Sequence, residues 1–293
     1  MTTEAGELFS RTQYDPDSAA SCALGCRRIT IAAMDLAFPL CGFFVGALAG
    51  FTGMGGGSVM TPALILLFGI HPVSAVGTDL LFAAATKVTG ARVHAYRGNV
   101  EWRVVGLLAL GSVPGALATI FAIARLPPRS PELAHIITIT IGVALLIAAA
   151  GLLFRQATDR FVARITGSVP ADRPVARPAL TIFLGLVLGV LVSLTSVGAG
   201  AIGIVILRHL YPRLSAVRLV GSDIAHAVPL TLLAGSGHWL IGDVQWVLLG
   251  SLLIGSIPGI CLASRWAHHV PEGILRRVLA FVLLVIGASM LTV

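Results

Sequence analysis

The chain has 293 residues, of which 56% are hydrophobic and 11% charged, where soluble domains carry about 25% charged residues. It lacks the charged faces that a large soluble core needs, which excludes a soluble globular protein and points to a polytopic membrane protein. The formal charge of +7 does not make a nucleic-acid binder: no basic stripe carries interleaved aromatics, and arginines beside apolar spans read as loop charges that orient the protein.

Residues 1–28 read as a mobile cytosolic tail. Cys22 and Cys26 lie in it with no second pair and no His ligand, so no metal site is expected. The apolar run after Arg27-Arg28 is too long for the core of a cleaved signal peptide and lacks a small-residue cleavage site. A first span covers about Ile31 to Gly50, with Cys41 as a small hydrophobe inside it. It breaks at Gly53-Met54-Gly55-Gly56-Gly57. A short apolar piece, Ser58 to Ile70, ends where His71-Pro72-Val73-Ser74 turns the chain. Spans follow at about Gly77 to Tyr96, Trp102 to Ala124 and Leu133 to Phe154, completing a first repeat over 29–154. Residues 155–178, with five arginines and three prolines, read as a linker.

The second repeat, 179–293, follows the same plan. Leu180 to Leu194 breaks at Thr195 to Gly200, and a short piece covers Ala201 to Leu210. Three spans then run over about Val220 to Ile241, Val244 to Ala263 (with Cys261) and Ile274 to Val293. All are predicted helices, because lipid leaves only helices or closed barrels to satisfy backbone groups, and these runs are too continuously apolar for barrel strands.

The duplication is visible residue by residue. Gly77 to Gly115 returns at a constant offset as Gly221 to Gly259: Thr78-Asp79 as Ser222-Asp223, His94 as His238, and Gly98-Asn99-Val100 as Gly242-Asp243-Val244. Trp102 returns as Trp246, and Gly111-Ser112-Val113-Pro114-Gly115 as Gly255-Ser256-Ile257-Pro258-Gly259. With an offset one shorter, Thr52, Gly55 and Gly57 meet Thr195, Gly198 and Gly200. A two-half repeat in a very apolar chain is the pattern of a transporter whose central site opens alternately to each side. Five apolar segments per half, or three if the first two form a re-entrant pair, give an odd number of crossings. The second half is therefore expected upside down. The arginines object, because Arg27-Arg28 and the linker would then face opposite sides although both favour the cytoplasm.

The glycine breaks are the candidate substrate site. Gly53, Gly55, Gly56 and Gly57 permit unusual backbone geometry and leave N–H groups unpaired at the start of the Ser58 helix, whose end carries partial positive charge. Thr52 and Ser58 add hydroxyls, and Thr195, Ser196, Gly198 and Gly200 correspond in the second half. Two such helix ends meeting near the midplane would cradle a small anion. The alternative is that these glycines only let helices pack closely.

The charged residues inside the spans make a second set. Asp79 and Asp223 correspond in the two halves; Lys87 and Arg92 face Thr231 and Ser236 in the alignment. A charge at the centre of a membrane helix costs on the order of 2.5–3.5 kcal/mol, so it should pair or line a wet path. Lys87 and His94, seven apart, share a helix face, and His226, three beyond Asp223, is expected to hydrogen-bond that carboxylate. Lys87 then draws in the anion while Asp79, Asp223, His94, His226 and His238 handle protons or gate. The milder reading has Asp79 and Asp223 capping helices, Arg92 snorkelling to the interface, and His94 and His238 as interface residues.

The ordered set Gly53-Met54-Gly55-Gly56-Gly57, Ala75-Val76-Gly77-Thr78-Asp79, Gly98-Asn99-Val100 and Gly111-Ser112-Val113-Pro114-Gly115 resembles the sulfite exporter TauE/SafE family, within the duplicated anion permeases also called sulfonate uptake permeases. The resemblance covers about Phe38 to Val293. It implies a multi-pass, secondary-active carrier in the bacterial inner membrane for sulfite, sulfoacetate or related sulfonates. Many members read Gly-Thr-Ser where this chain has Gly77-Thr78-Asp79, so a carboxylate there points to a subgroup with different coupling or substrate. The expected function is alternating-access transport of such an anion, coupled to protons rather than sodium, with no cofactor and with a homodimer as a compatible assembly. A non-transporting membrane assembly protein would not explain the duplicated polar breaks. An intramembrane hydrolase would need Ser58 or Ser196 beside His94 or His238, and no nucleophile-elbow or zinc motif is present.

Overall fold

Every described segment of secondary structure in the computed structural model is helical. The structure describes residues 36–51, 57–126, 130–154, 178–197, 201–266 and 272–292; the N-terminal tail, part of each glycine break and nearly all of the linker lie outside these. Five helices precede the linker: α1 (Leu36–Phe51), α2 (Gly57–Phe68), α3 (Pro72–Tyr96), α4 (Trp102–Arg125) and α5 (Pro131–Leu153). Five follow it: α6 (Pro178–Thr195), α7 (Ala201–Leu210), α8 (Ala216–Ile241), α9 (Trp246–Trp266) and α10 (Glu272–Thr292). Among the described residues, six helices (α4, α5, α6, α8, α9 and α10) are long and apolar enough to cross a membrane. The contacts below lie within the compact unit Pro39–Val293; of the unit Met1–Phe38, the described residues are the first three of α1.

Two helix starts differ from the sequence expectation. His71-Pro72-Val73-Ser74 is not a turn: Pro72 opens α3 directly after its N-cap His71, because proline's fixed φ and missing N–H suit a first helical position. α8 begins at Ala216 rather than near Val220, capped by Ser215, whose Oγ accepts from Arg218 N at 3.4 Å. Both shifts put Asp79 and Asp223 well inside their helices. Gly98 (φ 68°) and Gly242 (φ 90°) take left-handed turns after α3 and α8.

Packing relies on small residues, as expected where lipid supplies no hydrophobic drive between helices. α4 lies on α6 so closely that a Cβ on Gly111 would collide with the Ile182 carbonyl, and one on Gly189 with the Ser112 carbonyl. α9 lies on α1 through the corresponding residues: Gly255 against the Pro39 carbonyl and Gly46 against the Ser256 carbonyl. α3 and α8 pack antiparallel, with Gly77 against His238, Leu81 against Gly235, and Gly221 against His94 and Asn99. Their ends are joined by two corresponding bonds: Glu101 N donates to Ser222 Oγ at 2.8 Å, and Gln245 N to Thr78 Oγ1 at 3.2 Å. At the first of these ends Arg218 also lies 4.0 Å from Glu101, each side chain partly exposed; the residues corresponding to that pair are Ser74 and Gln245. A buried leucine-rich cluster (Leu108, Leu184, Leu188, Leu207 and Leu219) ties α4, α6, α7 and α8 together.

Candidate functional site

The antiparallel crossing of α3 and α8 gathers charge in an otherwise apolar interior. Asp79, on α3, is fully buried and accepts a hydrogen bond from Thr61 Oγ1 of α2 at 2.5 Å. The Ser196 side chain lies beside the same carboxyl. Asp79 Oδ1 and Ser196 Oγ nonetheless have no hydrogen-bond partner among the described residues. Asp223, the corresponding residue on α8, is equally buried, and its Oδ1 is also without a partner among those residues. Gly203 of α7 faces it so closely that a Cβ there would stand 2.9 Å from that oxygen. Neither aspartate caps a helix, which removes the milder reading of both.

Lys87 lies eight positions beyond Asp79, about two turns along α3. It is half-buried, within electrostatic reach of both Asp223 and Asp79 and of His226. One ammonium thus serves two buried carboxylates, and it is the more accessible member of the group. Burying charge is strongly unfavourable without such compensation.

His226 does not bond Asp223. Its Nε2 is 2.8 Å from Ser112 Oγ on α4, and its Nδ1 has no partner among the described residues. The helical i, i+3 spacing brings the two residues to one face, but the imidazole turns across the interface to α4. Ser112→Ala would leave a buried ring nitrogen unsatisfied, at a loss of about 1–3 kcal/mol; the expected result is a lower unfolding temperature of the detergent-solubilised protein, with Ser112→Thr less affected.

His94 and His238 lie away from this cluster, at opposite ends of the crossing. His238 is fully buried, and its Nε2 donates to the Ser193 carbonyl of α6 at 3.0 Å, so it is not an interface residue. His94 is half-buried and faces Gly221. Arg92 is exposed, as snorkelling requires.

Of the glycine-break residues, Thr52, Gly53, Gly55, Gly56, Gly198 and Gly200 lie outside the described residues, as does the Ser58 side chain, while Gly57 opens α2. Thr195 uses its hydroxyl to close α6, 2.7 Å from the Leu191 carbonyl and accepting from Val197 N at 3.1 Å. Ser196 adopts φ 57°, a left-handed conformation rare for a non-glycine residue, which ends α6. Thr61 lies one turn beyond the first break and Ser196 lies in the second, and both flank Asp79.

Sequence reasoning did not single out Thr61, Ser112 or Gly203. A buried carboxylate demands a donor, but nothing local says which of many hydroxyls supplies it. Ser112 sits in a repeated motif read only as evidence of duplication; the residue corresponding to His226 is Phe82, so the repeat concealed the pair.

The family described as "Sulfite exporter TauE/SafE" matches residues 38–290. The "Probable membrane transporter protein YjnA" of Bacillus subtilis (strain 168) is 35% identical over 259 residues, 88% of this chain and 100% of that protein. The "Probable membrane transporter protein YdhB" of the same organism is 30% identical over 241 residues, 80% of this chain and 91% of that protein. No solved structure matches the chain significantly. Six apolar helices of spanning length, together with a family match over most of the sequence, assign the chain to the sulfite exporter TauE/SafE family of multi-pass membrane transporters.

Proposed function

We propose that the protein is a secondary-active permease for small sulfur-containing anions, sulfite, sulfoacetate or related sulfonates, working by alternating access with protons as the coupling ion in the cell (inner) membrane. The observation that carries this reading is the charge cluster drawn from both halves at the α3–α8 crossing: a half-buried ammonium within electrostatic reach of two buried carboxylates. A protein that only assembled with partners would gain nothing from that arrangement. Lys87 supplies the attraction for an anion, and Ser196 supplies a hydroxyl. The glycine breaks, read in the sequence as a source of unpaired amides, are assigned the rest of the cradle.

The halves are read as an inverted repeat. Supporting this are the corresponding contacts of α4 with α6 and of α9 with α1, and the antiparallel approach of α3 to α8. Corresponding helices of two related halves meet antiparallel when the axis relating them lies across the helices, which for membrane-crossing helices is the plane of the membrane. Reciprocal packing of this kind lets one half exchange conformations with the other about a fixed central site.

The Ser112–His226 contact has the separation of a nucleophile and its base, which is the one feature favouring a hydrolase. Among the described residues no carboxylate meets His226 Nδ1 to orient the ring, the third element such a pair needs. The test is flux through proteoliposomes of the purified full chain loaded with labelled sulfite, sulfoacetate or methanesulfonate, with chloride and acetate as controls. Net movement of a sulfur oxyanion above the controls is expected. Chemical conversion of a probe without movement would replace the permease reading with an enzymatic one.

A further inference from the structure

We infer that Lys87 is a single cation shared in turn by Asp79, Asp223 and the transported anion, so that each negative charge loaded obliges one carboxylate to take up a proton. This rests on the permease reading and adds its coupling rule: the protein carries as many protons as its substrate has charges, up to two.

The geometry supplies the parts. Asp79 and Asp223 are buried to within 2% of full burial. Each has one carboxylate oxygen without a partner among the described residues, and each therefore has a free position for a proton. Around Asp79 the neighbours are uncharged hydroxyls, Thr61 from α2 and Ser196 after α6. Around Asp223 there is the bare Gly203 of α7. Among the described residues the charged group within reach of the pair is Lys87 from α3; His226 from α8 lies within reach of Lys87, and α4 contributes Ser112, which holds His226 through Nε2. One positive charge consequently answers for two negative ones.

Charge counting gives the rule. With both carboxylates ionised and Lys87 charged, the empty cluster has one excess negative charge. A monoanion docking on Lys87 would raise the excess to two in a buried place, which the surroundings cannot compensate. One proton on either aspartate restores the starting balance. A dianion restores it by protonating both. Empty and loaded clusters then carry the same net charge, so whatever charge one reorientation displaces the other returns, and the full cycle moves none across the membrane potential. A single carboxylate would suffice for a monoanion alone; the pair fits a permease that also accepts dianions.

The experiment uses the full chain in proteoliposomes containing a trapped pH-sensitive dye. Methanesulfonate, with one charge, and sulfoacetate, with two near neutral pH, are added outside, and anion and proton entry are counted together. One proton per methanesulfonate and two per sulfoacetate are expected, with the final extent of accumulation unaffected by a potassium-diffusion potential. Asp79→Asn and Asp223→Asn singly should each lower the sulfoacetate ratio from two to one and make its accumulation sensitive to potential. His226→Gln should leave both ratios intact. Should either aspartate variant fail to fold, the wild-type ratios and the other variant decide. Anion entry with no proton, equal ratios for both probes, or a ratio lost in His226→Gln would overturn the inference and leave the permease reading standing. No entry of either probe, nor of sulfite, would remove both.

Discussion

Lys87→Met is expected to weaken binding of the transported anion by about 30-fold or more, taking about 2 kcal/mol as the contribution of a charge-assisted hydrogen bond. Lys87 is half-buried, so an incoming anion can reach it, whereas the carboxylates behind it are closed off. Methionine keeps the length of the stem and its packing but removes the ammonium. The two aspartates can relieve their loss of a cation by taking up protons, so the variant should remain folded in detergent. The measurement is ligand-induced stabilisation: sulfite or sulfoacetate should raise the unfolding temperature of the wild type by mass action and leave that of Lys87→Met unmoved. Lys87→Arg keeps the charge and should recover part of the shift. An undiminished shift in Lys87→Met would take this residue out of the substrate site.

Gly111→Ala is expected to destabilise the protein by about 1–3 kcal/mol or more, the range for overpacking a well-packed interior. A methyl group there meets the Ile182 carbonyl and comes within 2.6 Å of the Leu186 amide nitrogen. Backbone cannot rotate away as a side chain can, so α4 and α6 must separate. Gly255→Ala should do the same to α9 and α1, where the added carbon meets the Pro39 carbonyl. Gly106 and Gly250 lie on the same two helices with nothing near the position of an added Cβ. Alanine there should be neutral or stabilising, since it is the better helix former by about 1 kcal/mol. Unfolding temperature and the monodisperse fraction after solubilisation separate the two outcomes. Equal behaviour of Gly106→Ala and Gly111→Ala would mean that close backbone approach does not hold these helices together.

The helices and their spacing were legible because lipid enforces a simple code: long apolar runs, with glycine where two backbones must touch. Gly111 and Gly255 were found as a repeated pattern and are also the points of closest approach, so one physical requirement produced both observations. The start of α3 was misplaced because a proline after a histidine suggests a turn as readily as a first helical position; that of α8 was set too late although Ser215 offers a capping hydroxyl. That error made a capping role for Asp79 and Asp223 reasonable. The charge cluster was legible in its charged members, since a lysine or aspartate in an apolar span needs company. Its uncharged members were not. Thr61 and Ser112 reach Asp79 and His226 from other helices, 18 and 114 positions away in the sequence, and hydroxyls carry no marker of their partner. The duplication misled as well as helped: Asp79 and Asp223 follow the repeat, but Lys87 and His226 have no ionisable counterpart in the other half.

The ion pair between Glu101 and Arg218 is another departure from the repeat. On the alternating-access proposal, matching packing at the two ends of the α3–α8 crossing would leave their closures equal in free energy, whereas the ion pair exists at one end and serine and glutamine stand at the other. A partly exposed contact of this kind contributes about 1 kcal/mol or less, enough to bias a carrier's resting direction several-fold without locking it. Because dissolved ions screen such a pair, salinity becomes a handle on that bias, loosening one mouth of the molecule while sparing the other.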